Sequence, residues 1–158
     1  MNTLQMKIES SIGPLYLVAS TVGLQGIFWK KQNAPITMGK NNAEEIILKK
    51  TIAQIEEYLA GKRKEFELPL DIIGTDFQKK VWQQLTKIPY GETRSYKDIA
   101  IALKDENASR AVGTANGRNP LSIIVPCHRV ISSDGSMGGY AGGLDIKKML
   151  LELERKMR

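Results

Sequence analysis

The apolar residues of this chain change period partway along it, and that switch demands two kinds of structure in one polypeptide. Near the start they recur in short alternating runs: Leu4, Met6 and Ile8, then Leu15, Leu17 and Ala19, then Leu24 with Ile27 to Trp29. Alternation turns one face of an extended chain toward a core. Gly13-Pro14 and Thr21-Val22-Gly23 separate the runs, so a small antiparallel meander is predicted. A loop rich in Asn, Gly and Pro follows over roughly Lys31 to Asn42. From Ala43 to Ala60 the spacing becomes helical, with Leu48, Ile52, Ile55 and Leu59 as the stripe and Gly61 where a C-terminal cap belongs. Phe66-Glu67-Leu68 predicts a further strand before Pro69, and a boundary falls near Leu70 to Gly74. The expected division is a small α/β lobe over 1–70 and a mostly helical lobe over 71–158.

Within the second lobe the local signals are caps and turns. Thr75-Asp76-Phe77-Gln78 has the form of a capping box, in which hydroxyl and amide satisfy free N–H groups of a helix running through Leu85. Pro89-Tyr90-Gly91-Glu92 is a turn, and Ser95-Tyr96-Lys97-Asp98 opens a helix to Leu103. A polar stretch and a short helix from about Ser109 to Ala115 complete a helix-turn-helix. The apolar stretch Leu121 to Val125 leads into Pro126 and Cys127, and a last helix spans about Leu144 to Met157 with Ile146, Leu150, Leu153 and Met157 as its stripe.

Charge and cysteine usage narrow the function classes. With 158 residues there is room for one ordinary domain or two small lobes, and a net charge of +6 favours polyanionic partners such as nucleic acid. A single cysteine excludes an internal disulfide, and one Cys beside one His cannot supply the spaced ligands of a zinc site. No metal site and no cofactor are expected. The absence of an N-terminal apolar core and of a bilayer-length run predicts a soluble, cytoplasmic protein.

Pro126-Cys127-His128-Arg129-Val130 places the only thiol and the only imidazole together at the end of an apolar run. A thiol with pKa of about 8.5 is only a few per cent thiolate near neutrality, and attack on carbon needs the thiolate. His128 is the candidate base. Adjacent side chains usually diverge, so a bridging water is the expected relay. By itself a cysteine after an apolar run is a core hydrophobe and a single histidine is structural; the surrounding pattern decides otherwise.

That pattern resembles the O6-alkylguanine-DNA alkyltransferases, the methylated-DNA-protein-cysteine methyltransferases. The resemblance rests on Asn119-Pro120, on Ile123 through Val130, and on Gly139-Tyr140-Ala141-Gly142-Gly143-Leu144. Upstream it includes Phe77, Val81, Trp82, Ile88-Pro89, Gly91-Glu92, Ser95-Tyr96 and Arg110 to Gly113. It implies a ribonuclease H-like α/β lobe followed by a winged-helix-like lobe, and irreversible transfer of one alkyl group from O6-alkylguanine, and by the same chemistry from O4-alkylthymine, to Cys127. The implied partner is double-stranded DNA carrying that lesion, bound by a monomer.

The resemblance also implies roles. Glu154, at the border of the last helix's apolar stripe, orients His128 and favours its charged form. Tyr96 rotates the target phosphate and protonates the departing guanine. Arg110 fills the gap left by the extruded base, while the small Ser109, Ala111, Gly113 and Thr114 let the helix approach the minor groove. Asn119 ties the recognition helix to the cysteine loop. Tyr140, Ala141 and Gly142 line the guanine pocket, and the Cys127 and Val130 carbonyls accept from its exocyclic amine. Two positions depart from the family: Ala141 stands where many relatives carry Ser, and Ser122 where some carry Pro. Two other classes remain in view: a non-catalytic lesion-binding module, whose members carry tryptophan in place of the cysteine, and a helix-turn-helix regulator with a structural cysteine.

Overall fold

Turns at residues 9–14 and 21–23 fold the first runs back on one another as an antiparallel meander. β1 (Thr3–Ile8), β2 (Leu15–Ser20) and β3 (Leu24–Phe28) lie in that order, β1 pairing from Thr3 opposite Ser20 to Ile8 opposite Leu15. The β2–β3 ladder shifts register between Val18 and Ala19. Leu15, Leu17, Ala19, Leu24 and Ile27 are buried. The computed structural model describes residues 3–37, 39 and 41–158. Met38 and Lys40 of the predicted loop therefore lie outside the described residues.

α1 (Ala43–Leu59) begins at Asn42, whose side chain accepts from the Glu45 N–H, and ends at Gly61, whose φ of +76° is the left-handed conformation a C-terminal cap requires. Its buried face differs from the predicted stripe. Leu48 and Ile55 are buried, but Ile52 and Leu59 are only half-buried, and Thr51, Gln54 and Tyr58 go inward instead. Hydrogen bonds make this possible: Thr51 donates to the Ile47 carbonyl, and Gln54 clamps the Glu67 backbone, donating to its carbonyl at 3.0 Å and accepting from its N–H at 2.9 Å. The same clamp corrects the predicted strand over Phe66-Glu67-Leu68. Glu67 finds its partners in a side chain, and only Leu70 bridges to Leu24 of β3. This first unit spans Met1–Ile73, and the second Gly74–Arg158.

The second unit is mostly helical: α2 (Asp76–Leu85), α3 (Tyr96–Ala102), α4 (Ser109–Gly117) and α5 (Leu144–Lys156). Both predicted caps are present as full capping boxes, Thr75 with Gln78 and Ser95 with Asp98. α3 and α4 pack on one another and on α2, burying Val81, Trp82, Leu85, Ile99, Val112 and Ala115. The Trp82 indole donates to the Ala115 carbonyl at 2.8 Å, fixing α4 against α2. α4 runs two residues beyond the predicted Ala115. A parallel pair was not foreseen: β4 (Arg94–Ser95) beside β5 (Val130–Ile131). The small sheet-plus-helix unit and the helical unit are the fold class expected.

α5 buries a different face from the predicted one. Leu150 is buried, whereas Ile146 and Leu153 are half-buried and Met157 is exposed; the other fully inward residues are Lys147 and Glu154. A helix that turns two charges inward does so only where those charges have partners.

Candidate active site

Two asparagines of the α4 end shape the segment that presents Cys127. Asn119 Nδ2 donates to the Val125 carbonyl at 2.8 Å, and its Oδ1 accepts from the Leu121 N–H at 3.0 Å. Val125 N–H donates to the Leu121 carbonyl, and Ile123 sits inside this turn at φ +78°, a left-handed conformation that is rare for a β-branched residue. Asn116 Nδ2 reaches the Cys127 carbonyl at 3.4 Å. The chain then enters a single 3-10 turn, Cys127–Arg129. Cys127 is buried, at 4% exposure. Burial pushes its thiol up, opposed by the Asn119 amide and the Lys147 charge, so the resting group is the thiol.

His128 and Glu154 come together fully buried, Nε2 lying 2.6 Å from Oε2. Burial works against the Glu154 charge, but hydrogen bonds from His128 and Arg129 outweigh it and hold the carboxyl well below the usual carboxylate range. An ionised carboxylate has no proton to give, so Nε2 carries the hydrogen and donates. Glu154 favours the charged imidazole, as expected, but its pull is outweighed. Burial lowers His128, and the Arg129 and Lys147 charges add to it, against the pull of Glu154. The resting histidine is neutral.

Sequence reading missed two buried cations. Arg129 donates through Nε to Glu154 Oε1 at 2.8 Å and through Nη2 to Oε2 at 3.0 Å. Lys147 Nζ donates to the carbonyls of Val130 at 2.6 Å, Gly139 at 3.2 Å and Met137, strapping the glycine loop to the segment after the cysteine. Burial lowers its ammonium to about 8, with Cys127 opposing. A signal for it existed: Lys147 precedes Leu150 by three and Glu154 by seven, so an inward Glu154 puts Lys147 inward too. The Val130 carbonyl, expected to face an exocyclic amine, is engaged by this lysine.

Tyr96 lies half-buried at the start of α3. Burial raises its phenol, opposed by a hydrogen bond with the Gly139 backbone. A Cβ at Gly113 would lie 3.8 Å from the Tyr96 ring, and one at Gly138, where φ is +69°, would collide with the Tyr96 hydroxyl. Gly138→Ala should therefore displace that hydroxyl. The expected outcome is a shifted Tyr96 phenol titration with the fold retained, measured by tyrosine absorbance against pH beside a thermal melt. Tyr140 is raised well above its ordinary value by burial, opposed by a Ser122 hydrogen bond, while Ala141 is exposed and Gly142 half-buried.

On α4, Arg110, Ala111 and Thr114 are exposed and Ser109 and Gly113 half-buried, with Val112 and Ala115 facing the core. The Thr114 hydroxyl turns back to the Arg110 carbonyl at 3.2 Å. Arg118, not singled out from the sequence, extends this exposed face. Beside it a cavity of about 380 Å³ opens between the first turn of α2, at Thr75, Phe77 and Gln78, and Thr114 and Arg118. Among the described residues no group of three His, Cys, Asp or Glu could hold a metal ion, and no helix is long and apolar enough to cross a membrane.

Comparison with known proteins gives consistent matches. A family model described as 6-O-methylguanine DNA methyltransferase, ribonuclease-like domain, matches residues 4–72, and the corresponding DNA binding domain matches residues 76–156. A methylated-DNA--protein-cysteine methyltransferase of Methanosarcina barkeri is 49% identical over 148 residues, covering 93% of this chain and 94% of that protein. The crystal structure of the Mycobacterium tuberculosis O6-methylguanine methyltransferase matches with a TM-score of 0.88 at 41% identity, over 99% of this chain and 94% of that one. That of the same organism's OGT in complex with DNA matches with a TM-score of 0.87 at 42% identity and the same coverage, 99% and 94%.

Proposed function

The chain belongs to the 6-O-methylguanine DNA methyltransferase family, and we propose that it repairs DNA by moving the alkyl group of O6-alkylguanine onto Cys127, once per molecule. The observation that carries this reading is the constellation itself: the only cysteine of the chain, shaped by Asn119, followed directly by an imidazole that a buried carboxylate orients. The target base leaves the duplex to reach it, since chemistry on a stacked base is sterically closed. Arg110 fills the vacated space, and Ser109, Ala111, Gly113 and Thr114 bring α4 close to the minor groove. Tyr140, Ala141 and Gly142 line the guanine pocket.

The thiol proton passes to His128 through a bridging water, the thiolate attacks the alkyl carbon, and the carbon–O6 bond breaks as the S–C bond forms. Negative charge on the guanine is met by the Tyr96 phenol, whose proton it takes. O4-alkylthymine presents the same leaving oxygen and is a second substrate on this reading. The Cys127 thiol raised and the His128 imidazole lowered keep the pair neutral until a substrate arrives. The product thioether has no good leaving group, so turnover is absent. The 74–158 unit carries both DNA contact and chemistry. The protein works as a monomer on double-stranded DNA in the cytoplasm.

Incubation with a duplex holding one O6-methylguanine, followed by intact-mass measurement, tests the proposal. One methyl per protein molecule on the Cys127 peptide is the expected result. More than one methyl removed per molecule, or an unmodified Cys127 after repair, overturns it.

A further inference from the structure

The proposed reaction employs Cys127, His128, Glu154 and Tyr96, and leaves the guanidinium that holds Glu154 without a task. Arg129 is 7% exposed, so its charge is withdrawn from water and must be held by protein groups. Its contacts run in three directions: Nε and Nη2 to the two oxygens of Glu154, Nη1 to the Ile88 carbonyl at 2.8 Å, and its plane over the Tyr90 ring at 5.6 Å. Glu154 is saturated in turn. Oε1 accepts from Arg129 Nε and from the Gly91 N–H at 3.2 Å, and Oε2 accepts from Arg129 Nη2 and from His128 Nε2. A carboxylate offers about four acceptor positions, and all four are taken by donors from the Ile88–Gly91 turn and the cysteine segment.

We propose that Arg129 is a positioning residue for the transfer: by fixing both oxygens of Glu154 it obliges His128 to donate Nε2–H to that carboxylate and to keep its other nitrogen for the proton of Cys127. The inference deepens the alkyl-transfer reading and rests on it. Geometry sets the requirement for arginine, since two parallel donors in one plane hold a carboxylate against rotation and an ammonium holds one oxygen only. Electrostatics adds to it. The charged and titratable groups around His128 are Glu154 and Lys147 of α5, Arg129 and Cys127 of its own segment, Tyr90 of the turn, and Tyr140, which feels both Cys127 and Glu154. α2 also packs on this segment, and its Asp76, Lys79 and Lys80 are exposed. Arg129 and Lys147 oppose a second proton on the imidazole and Glu154 invites one. Without Arg129 the carboxylate acts with less opposition, the imidazole charges at higher pH, and the thiol loses its acceptor.

The chain has one histidine, so its imidazole nitrogens report directly by NMR in untagged protein. Arg129→Met is expected to raise both the imidazole midpoint and the acid limb of single-turnover methyl transfer by about one pH unit, and to slow transfer ~10-fold above that limb. Arg129→Lys keeps the charge and should leave the midpoint near that of the unaltered protein, while transfer still slows several-fold. A folded Arg129→Met whose midpoint is unmoved, or whose rate drops equally at every pH, overturns the proposal. Should Arg129→Met not fold, Arg129→Gln gives the same readout; if neither neutral variant folds while Arg129→Lys does, the arginine is structural and the proposal falls. Failure of the unaltered protein to accept a methyl group would sink the alkyl-transfer reading instead, and the imidazole titration separates the two.

Discussion

Cys127→Ala is expected to bind duplex DNA carrying O6-methylguanine and to leave every methyl group in place. The substitution removes one sulfur from a buried position together with its Asn119 and Ser122 contacts, while the hydrogen bonds that fix the backbone of the segment do not run through it. Asn119 holds Val125 and Leu121 through their backbones, and Asn116 holds the Cys127 carbonyl, so the turn should persist. The stability change should be on the order of 1 kcal/mol, the transfer energy of a small buried group. Transfer should fall to the uncatalysed level, because no second thiol exists in the chain to take over. Intact mass after incubation reads the chemistry, and a gel-shift titration with lesion-bearing and lesion-free duplexes reads binding. Methylation of the alanine variant at any residue would remove the sulfur from its central place. Equal affinity for both duplexes, with sequence preference, would favour a helix-turn-helix regulator instead.

What could be read from the sequence was local, and what could not was set by burial. The two capping boxes depend on residues three apart, and both formed where the sequence put them. The meander followed from alternation bounded by turns. Each helix whose face was misjudged carries buried polar groups with long-range partners: Gln54 against Glu67, and Lys147 against Val130, Met137 and Gly139. Periodicity ranks such side chains as solvent-facing because it sees no partners. β4 and β5 have two residues each, too few to show a period. The resting charge of His128 was not legible for the same reason. Glu154 pulls the imidazole toward its charged form as the sequence reading has it, and the complete burial and two further cations that outweigh this pull exist only in the fold. Arg129 stood within the motif that carried the resemblance, yet nothing in a linear pattern says that its fork closes on a carboxylate 25 positions away.

Glu154→Ala should be the most destabilising single change in the second unit, costing about 3–5 kcal/mol at neutral pH, as expected when one partner of a buried pair is removed. Its loss would strand the Arg129 guanidinium as a buried charge and leave the Gly91 N–H and the imidazole N–H without their acceptor. Glu154→Gln should cost less, because the amide oxygen keeps one acceptor, but the charge that balances Arg129 is still gone. The dependence on pH carries a definite sign. Glu154 is held below its ordinary value of 4.5, so its contribution is complete above that pH and is lost as the pH falls toward its depressed folded value. His128 is also lowered, from 6.5, so the unfolded chain takes up its proton first and stability already declines below about that pH. Denaturant titrations at a series of pH values should therefore show the gap between the unaltered protein and Glu154→Ala widest near neutrality and narrowing below pH 4.5. The histidine slope should persist in the variant, since removing the carboxylate leaves Arg129 and Lys147 to oppose the imidazolium even more strongly. A gap under ~1 kcal/mol at neutral pH, or one that stays constant into acid, would mean that Glu154 does not balance the buried cations.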